Sequence, residues 1–178
     1  MNRNTTPLIA AYLLAIILAN LTVALAPPLW RPTVVLINSL TLIGLDLTVG
    51  DRLHEAWRGR GLIWRMALLI LAGSALSFTL NGAAGPVALC SLVAFALSAT
   101  SDRLVYTMLD RYGWYARVNG SNAVGALIDS AVFLCGLAVA GLLAWRSVPI
   151  LVAAQWGMKV AGGGVWALVL RRRVRVEG

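Results

Sequence analysis

Residues 98–133, SATSDRLVYTMLDRYGWYARVNGSNAVGALIDSAVF, decide how the whole chain is read. An apolar helix runs into Asp102, a basic and aromatic connector follows, and a second apolar helix begins at Asn122 and carries Asp129 inside it. Both carboxylates fall where lipid is expected. A charge in hydrocarbon costs several kcal/mol, roughly 3 on insertion scales, unless it faces a partner or a watery cavity. The stretch therefore reads as part of a polar site between membrane helices.

The rest of the composition agrees. Of 178 residues, 60% are hydrophobic and only 12% charged, and the mean hydropathy of +0.81 lies far outside the soluble range. The 17 glycines suit close helix packing, and the 7 tryptophans suit the membrane interfaces. A net charge of +8 would suggest a nucleic-acid partner in a soluble protein. Here the arginines sit between and after apolar runs and read as topology signals, so nucleic acid is excluded. Cys90 and Cys135 lie inside apolar runs without CxxC or histidine spacing, which argues against a disulfide or a metal site.

Apolar runs near the roughly 20 residues needed to span a bilayer fall at 7–26, 33–49, 62–80, 86–108, 122–144 and 148–170. The fold class expected is all-α: a polytopic six-helix transmembrane bundle forming a single domain over 1–178, with short connectors and no internal repeat. Lys and Arg near the helix ends set orientation. One set of ends holds Arg3, Arg52, Arg58, Arg60, Arg111, Arg117, Arg171, Arg172, Arg173 and Arg175, whereas the opposite set holds Arg31 and Arg146. Both termini are therefore expected in the cytoplasm. Arg3, the first apolar run and Ala24-Leu25-Ala26 before Pro27-Pro28 also fit a cleaved secretory signal, but a retained first helix is preferred. Residues 51–60, DRLHEAWRGR, read as a short amphipathic helix on the cytoplasmic surface, with His54 an interfacial polar residue rather than a ligand.

The remaining polar residues lie on apolar rods: Asn20 on helix 1, Asn38 and Asp46 on helix 2, Asp102 on helix 4, Asn122 and Asp129 on helix 5, Gln155 and Lys159 on helix 6. Spacings of four and seven place Gln155, Lys159 and Trp166 on one face, Asn122 and Asp129 on another, and Ser39 and Asp46 on a third. At about 1.5 Å of rise per residue, Lys159 falls near mid-bilayer, where it is expected to pair with Asp129 or Asp46. Gly157, Gly162, Gly163 and Gly164 flank it and permit close packing or a break in the helix. Phe133, Trp156 and Trp166 are aromatic faces available to a flat ligand, Trp166 fitting an interfacial belt equally well. No catalytic signature is present: residues 82–86, GAAGP, lack the Lys-Ser/Thr of a phosphate loop, and a triad would need His54, the only histidine. No enzyme activity, cofactor or metal is expected.

Four elements in register resemble the queuosine precursor transporter (VUT) family: Ala19-Asn20, DLTV at 46–49, the pair AFALSATSDRLVY at 94–106 and WYARVNGSNAVGALIDSAVF at 114–133, and Lys159. The resemblance covers nearly the whole chain. It implies a six-helix bacterial inner-membrane protein that imports 7-deazaguanine precursors of queuosine without an ATP-binding subunit. Asn20, Asp46, Asp102, Asp129 and Lys159 match the family's polar positions. The chain departs in its short outward loops and in Gly50-Asp51, where the family carries a Glu and a Gly-rich step, which leaves the exact substrate open.

A guanine-like edge suits these residues. One carboxylate accepts its N–H and exocyclic NH₂ together, an amide or lysine meets its carbonyl, and aromatic rings cover its faces. Asp129 or Asp46 is expected at the donor edge and Lys159 or Gln155 at the acceptor edge. Asn20, Asn38, Asp102, Asn122, Phe133 and Trp156 complete the expected substrate site. The partners expected are a small planar heterocycle, the lipid bilayer and a second copy of the chain. Two other readings stay open at this point: the substrate-binding subunit of an energy-coupling-factor vitamin transporter, and a structural or assembly membrane protein whose polar residues only lock helices.

Overall fold

Prolines and glycines divide the chain into helices where the apolar runs pause. A computed structural model describes residues 5–57 and 61–176. Arg3, Arg58 and Arg60 lie outside the described residues, as do the side chains of His54, Arg117, Arg171, Arg172, Arg173 and Arg175. Among the described residues every regular element is helical. The elements are α1 (Thr6–Leu25), α2 (Arg31–Asn38), a π-helical segment (Ser39–Ile43), α3 (Gly44–Trp57), α4 (Leu62–Leu80), α5 (Gly85–Met108), α6 (Trp114–Val139) and α7 (Val148–Val176).

The backbone stays helical through Ser39 and Gly44, so α2, the π segment and α3 form one rod, and the described residues make six rods. Among the described residues, four helical stretches are long and apolar enough to cross a membrane by length and composition: Thr6–Leu25, Arg31–Gly50, Gly82–Met108 and Gly120–Val139. Trp64–Leu80 is apolar but shorter.

Local chemistry sets the ends. Proline cannot donate a backbone hydrogen bond and restricts the residue before it, and Ala26, ahead of Pro27-Pro28, leaves the helix in an extended conformation. At the end of α6, Gly141 takes φ +71°, a conformation that glycine adopts without steric cost. The Gly141 N–H donates to the Ala138 carbonyl and the Leu142 N–H to Leu137, satisfying carbonyls that a helix end leaves open. Arg31 then joins two turns. Its guanidinium donates to the carbonyls of Val23 (3.2 Å) and Ala26 (3.1 Å) at the end of α1, and to Leu142 (2.8 Å) beyond α6.

Residues 51–57, expected in a separate surface helix, instead continue the second rod. Gly50 alone does not interrupt it, because Leu53 and Trp57 are buried and hold the extension against α1 and α4.

Two apolar clusters bracket the fold. One, at the Arg31 end, gathers Val23, Val35, Val87, Leu134, Leu137 and Leu151. The other gathers Tyr12, Ile16, Val49, Leu53, Met66 and Ile70 from α1, α3 and α4. Along α1 and along the second rod, the polar residues Asn20, Asn38, Ser39 and Asp46 lie between the residues that join the two clusters. The polar groups thus occupy a middle layer.

In a membrane, helices associate through close packing and hydrogen bonds rather than water exclusion. The tightest seam here joins α7 to the second rod. A Cβ added at Gly162 would stand 2.2 Å from the Leu40 carbonyl oxygen, and one at Gly44 would stand 2.7 Å from the Gly162 carbonyl carbon. Gly157, by contrast, has nothing within 4 Å of such a Cβ. Gly162→Ala is expected to cost about 2–3 kcal/mol, the range of an overpacked core, while Gly157→Ala leaves the melting temperature in detergent essentially unchanged. Equal melting temperatures for the two variants would contradict the seam.

Candidate functional site: a buried ion pair among unmatched acceptors

The centre of the middle layer is an ion pair between Lys159 of α7 and Asp129 of α6. The Lys159 side chain is 4% exposed and that of Asp129 24%. Lys159 points inward from α7 with Gln155 one turn before it on the same face, and both residues are buried. The i, i+4 spacing that aligned them in sequence therefore holds in the helix. From the opposite side, α3 brings Asp46 within electrostatic range of both members of the pair.

Matched and unmatched polar atoms divide this layer. Lys159 is the cation of Asp129. Breaking such a buried pair leaves an uncompensated charge and costs about 3–5 kcal/mol. Asp46 Oδ1 and Gln155 Oε1 are buried and have no hydrogen-bond partner. Each unmatched buried acceptor costs about 1–3 kcal/mol. Both atoms are acceptors, so what they lack is a group rich in N–H or O–H donors.

The other expected site residues fall in three places. Asn20 and Asn38 are helix ties. Asn20 donates to Ser77 Oγ (3.2 Å) and accepts from Ser91 Oγ (2.9 Å), joining α1 to α4 and α5. Asn38 donates to Thr22 Oγ1 (2.8 Å) and to the Ala19 carbonyl (3.2 Å), joining the second rod to α1. Asp102 packs against Gly125, where an added Cβ would meet its own Cβ at 3.3 Å. Gly125 precedes Asp129 by one turn, so Asp102 lies about 6 Å along α6 from the ion pair, with its Oδ1 buried and unmatched. Asn122, a further turn away, is exposed.

Neither aromatic expected here flanks the pair as a free face. Phe133 packs against the cluster at the Arg31 end. The Trp156 indole N–H donates to the Ala123 carbonyl (3.0 Å) and fastens α7 to α6. Trp166 donates to the Thr41 carbonyl (2.9 Å), an oxygen of the π segment, and so fastens α7 to the second rod.

Sequence reasoning missed Tyr12. This α1 residue is 1% exposed and lies within electrostatic range of Asp46 and Asp129. Its one signal was being the single tyrosine in an otherwise aliphatic first helix. Among the described residues no group of His, Cys, Asp and Glu has the grouping of a metal site.

Helical rods with an ion pair and spare acceptors enclosed between them define a polytopic membrane protein with an internal polar site. A family model described as "Putative vitamin uptake transporter" matches residues 6–169, and the chain belongs to that family of membrane transporters. Comparison with curated proteins and with solved structures returned no match.

A double-mutant cycle on the pair tests its burial. Lys159→Met and Asp129→Asn are each expected to lower stability by about 3–5 kcal/mol, read as thermal melts in detergent. The double variant recovers much of that loss because no lone charge remains. Strictly additive losses would contradict a matched buried pair.

Proposed function

We propose that this chain imports 7-deazaguanine precursors of queuosine, such as 7-cyano-7-deazaguanine or its aminomethyl form, across the bacterial inner membrane. The observation that carries the reading is the pair of buried acceptors without partners, Asp46 Oδ1 on the second rod and Gln155 Oε1 one turn from Lys159 on α7. A guanine-like ring offers neighbouring N–H and NH₂ donors, the chemistry these atoms lack. A ligand that supplies them removes a desolvation cost already present in the empty protein, so differential affinity follows from the site's own composition.

Roles follow from what each group has left to offer. Asp46 and Gln155 accept from the base. Asp129 and Lys159 hold each other and form the charged wall. Asn20 and Asn38 fix the helices that shape the site. Asp102 of α5, level with Gly125 one turn along α6, and Asn122 of α6 belong to the path by which the base leaves.

The chain acts as one six-span domain with both termini in the cytoplasm. The arginine asymmetry supports this orientation: of the two outward arginines, Arg31 is buried and fully engaged with helix carbonyls, which leaves Arg146 as the exposed one. Transport requires no cofactor, catalytic step or ATP-binding subunit, and a homodimer is the working form.

Thermal melts of detergent-purified protein test the reading, because a ligand that binds only the folded state raises the melting temperature by mass action. The two deazaguanines are expected to stabilise the wild type, with riboflavin giving no shift. Asp46→Asn, which exchanges an acceptor oxygen for an amide NH₂, is expected to weaken binding at least tenfold. Stabilisation by riboflavin alone, or an unchanged deazaguanine shift in Asp46→Asn, would refute the assignment.

A further inference from the structure

The second rod and α7 each contain a stretch that resists bending poorly, and the two stretches touch. On the second rod, three hydroxyls donate back to the carbonyl four residues earlier: Ser39 to Val35 (2.8 Å), Thr41 to Ile37 (2.8 Å) and Thr48 to Gly44 (3.0 Å). Such side-chain bonds compete with the helix ladder, loosen it and often bend it. Within this stretch the backbone widens into the π segment at Ser39–Ile43 and tightens again where the Gly44 N–H donates to the Thr41 carbonyl. On α7 the facing stretch is Gly162-Gly163-Gly164. Glycine has the lowest helix propensity after proline, so a run of three is where α7 bends most easily.

Contact between these stretches is backbone to backbone. A Cβ added at Gly162 would stand 2.2 Å from the Leu40 carbonyl oxygen, and neither Gly44 nor Gly162 offers a side chain to hold the two rods in register. A directional bond crosses the seam instead, from the Trp166 indole N–H to the Thr41 carbonyl (2.9 Å). Trp166 lies one turn beyond Gly162, and helical side chains lean towards the N-terminus, which brings its ring back to the π segment. The polar layer begins within a turn of this seam: Lys159 precedes Gly162 by three residues, and Asp46 follows Gly44 by two.

We propose that the π segment and Gly162-Gly163-Gly164 form one hinge shared by the second rod and α7, and that the Trp166–Thr41 bond is its latch. With the latch closed, the rods enclose the Lys159–Asp129 pair and the unmatched Asp46 oxygen. With it released, the rods bend apart at the seam and open the polar layer for a ligand to enter or leave. The Thr41 carbonyl keeps its bond from the Gly44 N–H when the latch opens, so release strands no carbonyl in lipid. The inference rests on the transport reading above for what passes through the opened layer, and adds to it the element that moves.

Hydrogen exchange of the full chain in detergent, read by mass spectrometry without any ligand, tests the hinge, because amides exchange where a segment opens. In the wild type, residues 39–46 and 160–168 are expected to show similar protection and to exchange about tenfold faster than residues 12–22 of α1. Trp166→Phe keeps a ring and removes the N–H, and the loss of that one bond is expected to speed exchange in both segments about fivefold. Trp156→Phe removes the comparable bond from α7 to the Ala123 carbonyl of α6. It should leave residues 39–46 within about twofold of the wild type, since their own latch is intact. A rise confined to α7 in Trp166→Phe would overturn the shared hinge, as would equal rises in the two variants, which general loosening predicts, or no rise in either. Wild-type residues 39–46 as well protected as α1 would overturn it without any variant. Because no ligand is present, failure of the hinge leaves the transport reading standing, and that reading fails separately if labelled base does not enter liposomes.

Discussion

The ion pair between Lys159 and Asp129 is the constraint that the rest of the structure satisfies. An ammonium group in the middle of a bilayer is unfavourable unless a counter-charge meets it away from lipid, so α6 and α7 must face each other at that level. Around that contact, α7 is fastened on both flanks. Trp156 bonds to the α6 backbone, and Trp166 bonds to the π segment, where Gly162 and Gly44 let the two backbones touch. A π segment is frequently found at functional sites because it leaves a helix locally without its regular bonding. Here the Thr41 carbonyl within it accepts from the Gly44 N–H of its own rod and also from the Trp166 indole N–H of another helix.

Polar residues in this protein follow three distinct rules. Those that tie helices are fully used: Asn20 spends both ends of its amide, Asn38 bonds to α1, and Arg31 caps three carbonyls. Lys159 and Asp129 match each other's charge. A third group, Asp46, Ser74, Asp102 and Gln155, has buried side-chain oxygens with no hydrogen-bond partner. Natural proteins leave few buried polar atoms unmatched, and such atoms mark places where strain or a ligand supplies the reason. Two unmatched acceptors and a matched pair lie between apolar clusters at either end.

Much of this was legible in the sequence because the signals are local. The first, third and fourth apolar runs, with the prolines at 27–28 and 86, set their helix ends within a residue or so. By contrast, α6 begins eight residues before the expected Asn122 and stops before Gly141, and α7 runs on past Leu170 to Val176. The four-residue spacing of Gln155 and Lys159 placed them on one buried face. Other features depend on contacts that no local pattern encodes. Asn20 and Asn38 looked like site residues because an amide in an apolar helix is polar in either role; only the positions of Ser77, Ser91 and Thr22 reveal them as ties. The second rod was expected to stop near Val49, yet Leu53 and Trp57 carry it further by packing on helices remote in sequence. The π segment has no composition of its own.

Uptake by the purified chain alone, reconstituted into liposomes with neither nucleotide nor any partner protein, tests the central claim most directly. Labelled 7-cyano-7-deazaguanine is expected to enter these vesicles with saturable kinetics and to be displaced by excess unlabelled base, well above empty liposomes. Entry indistinguishable from empty liposomes, by a preparation that melts cooperatively, would contradict the account.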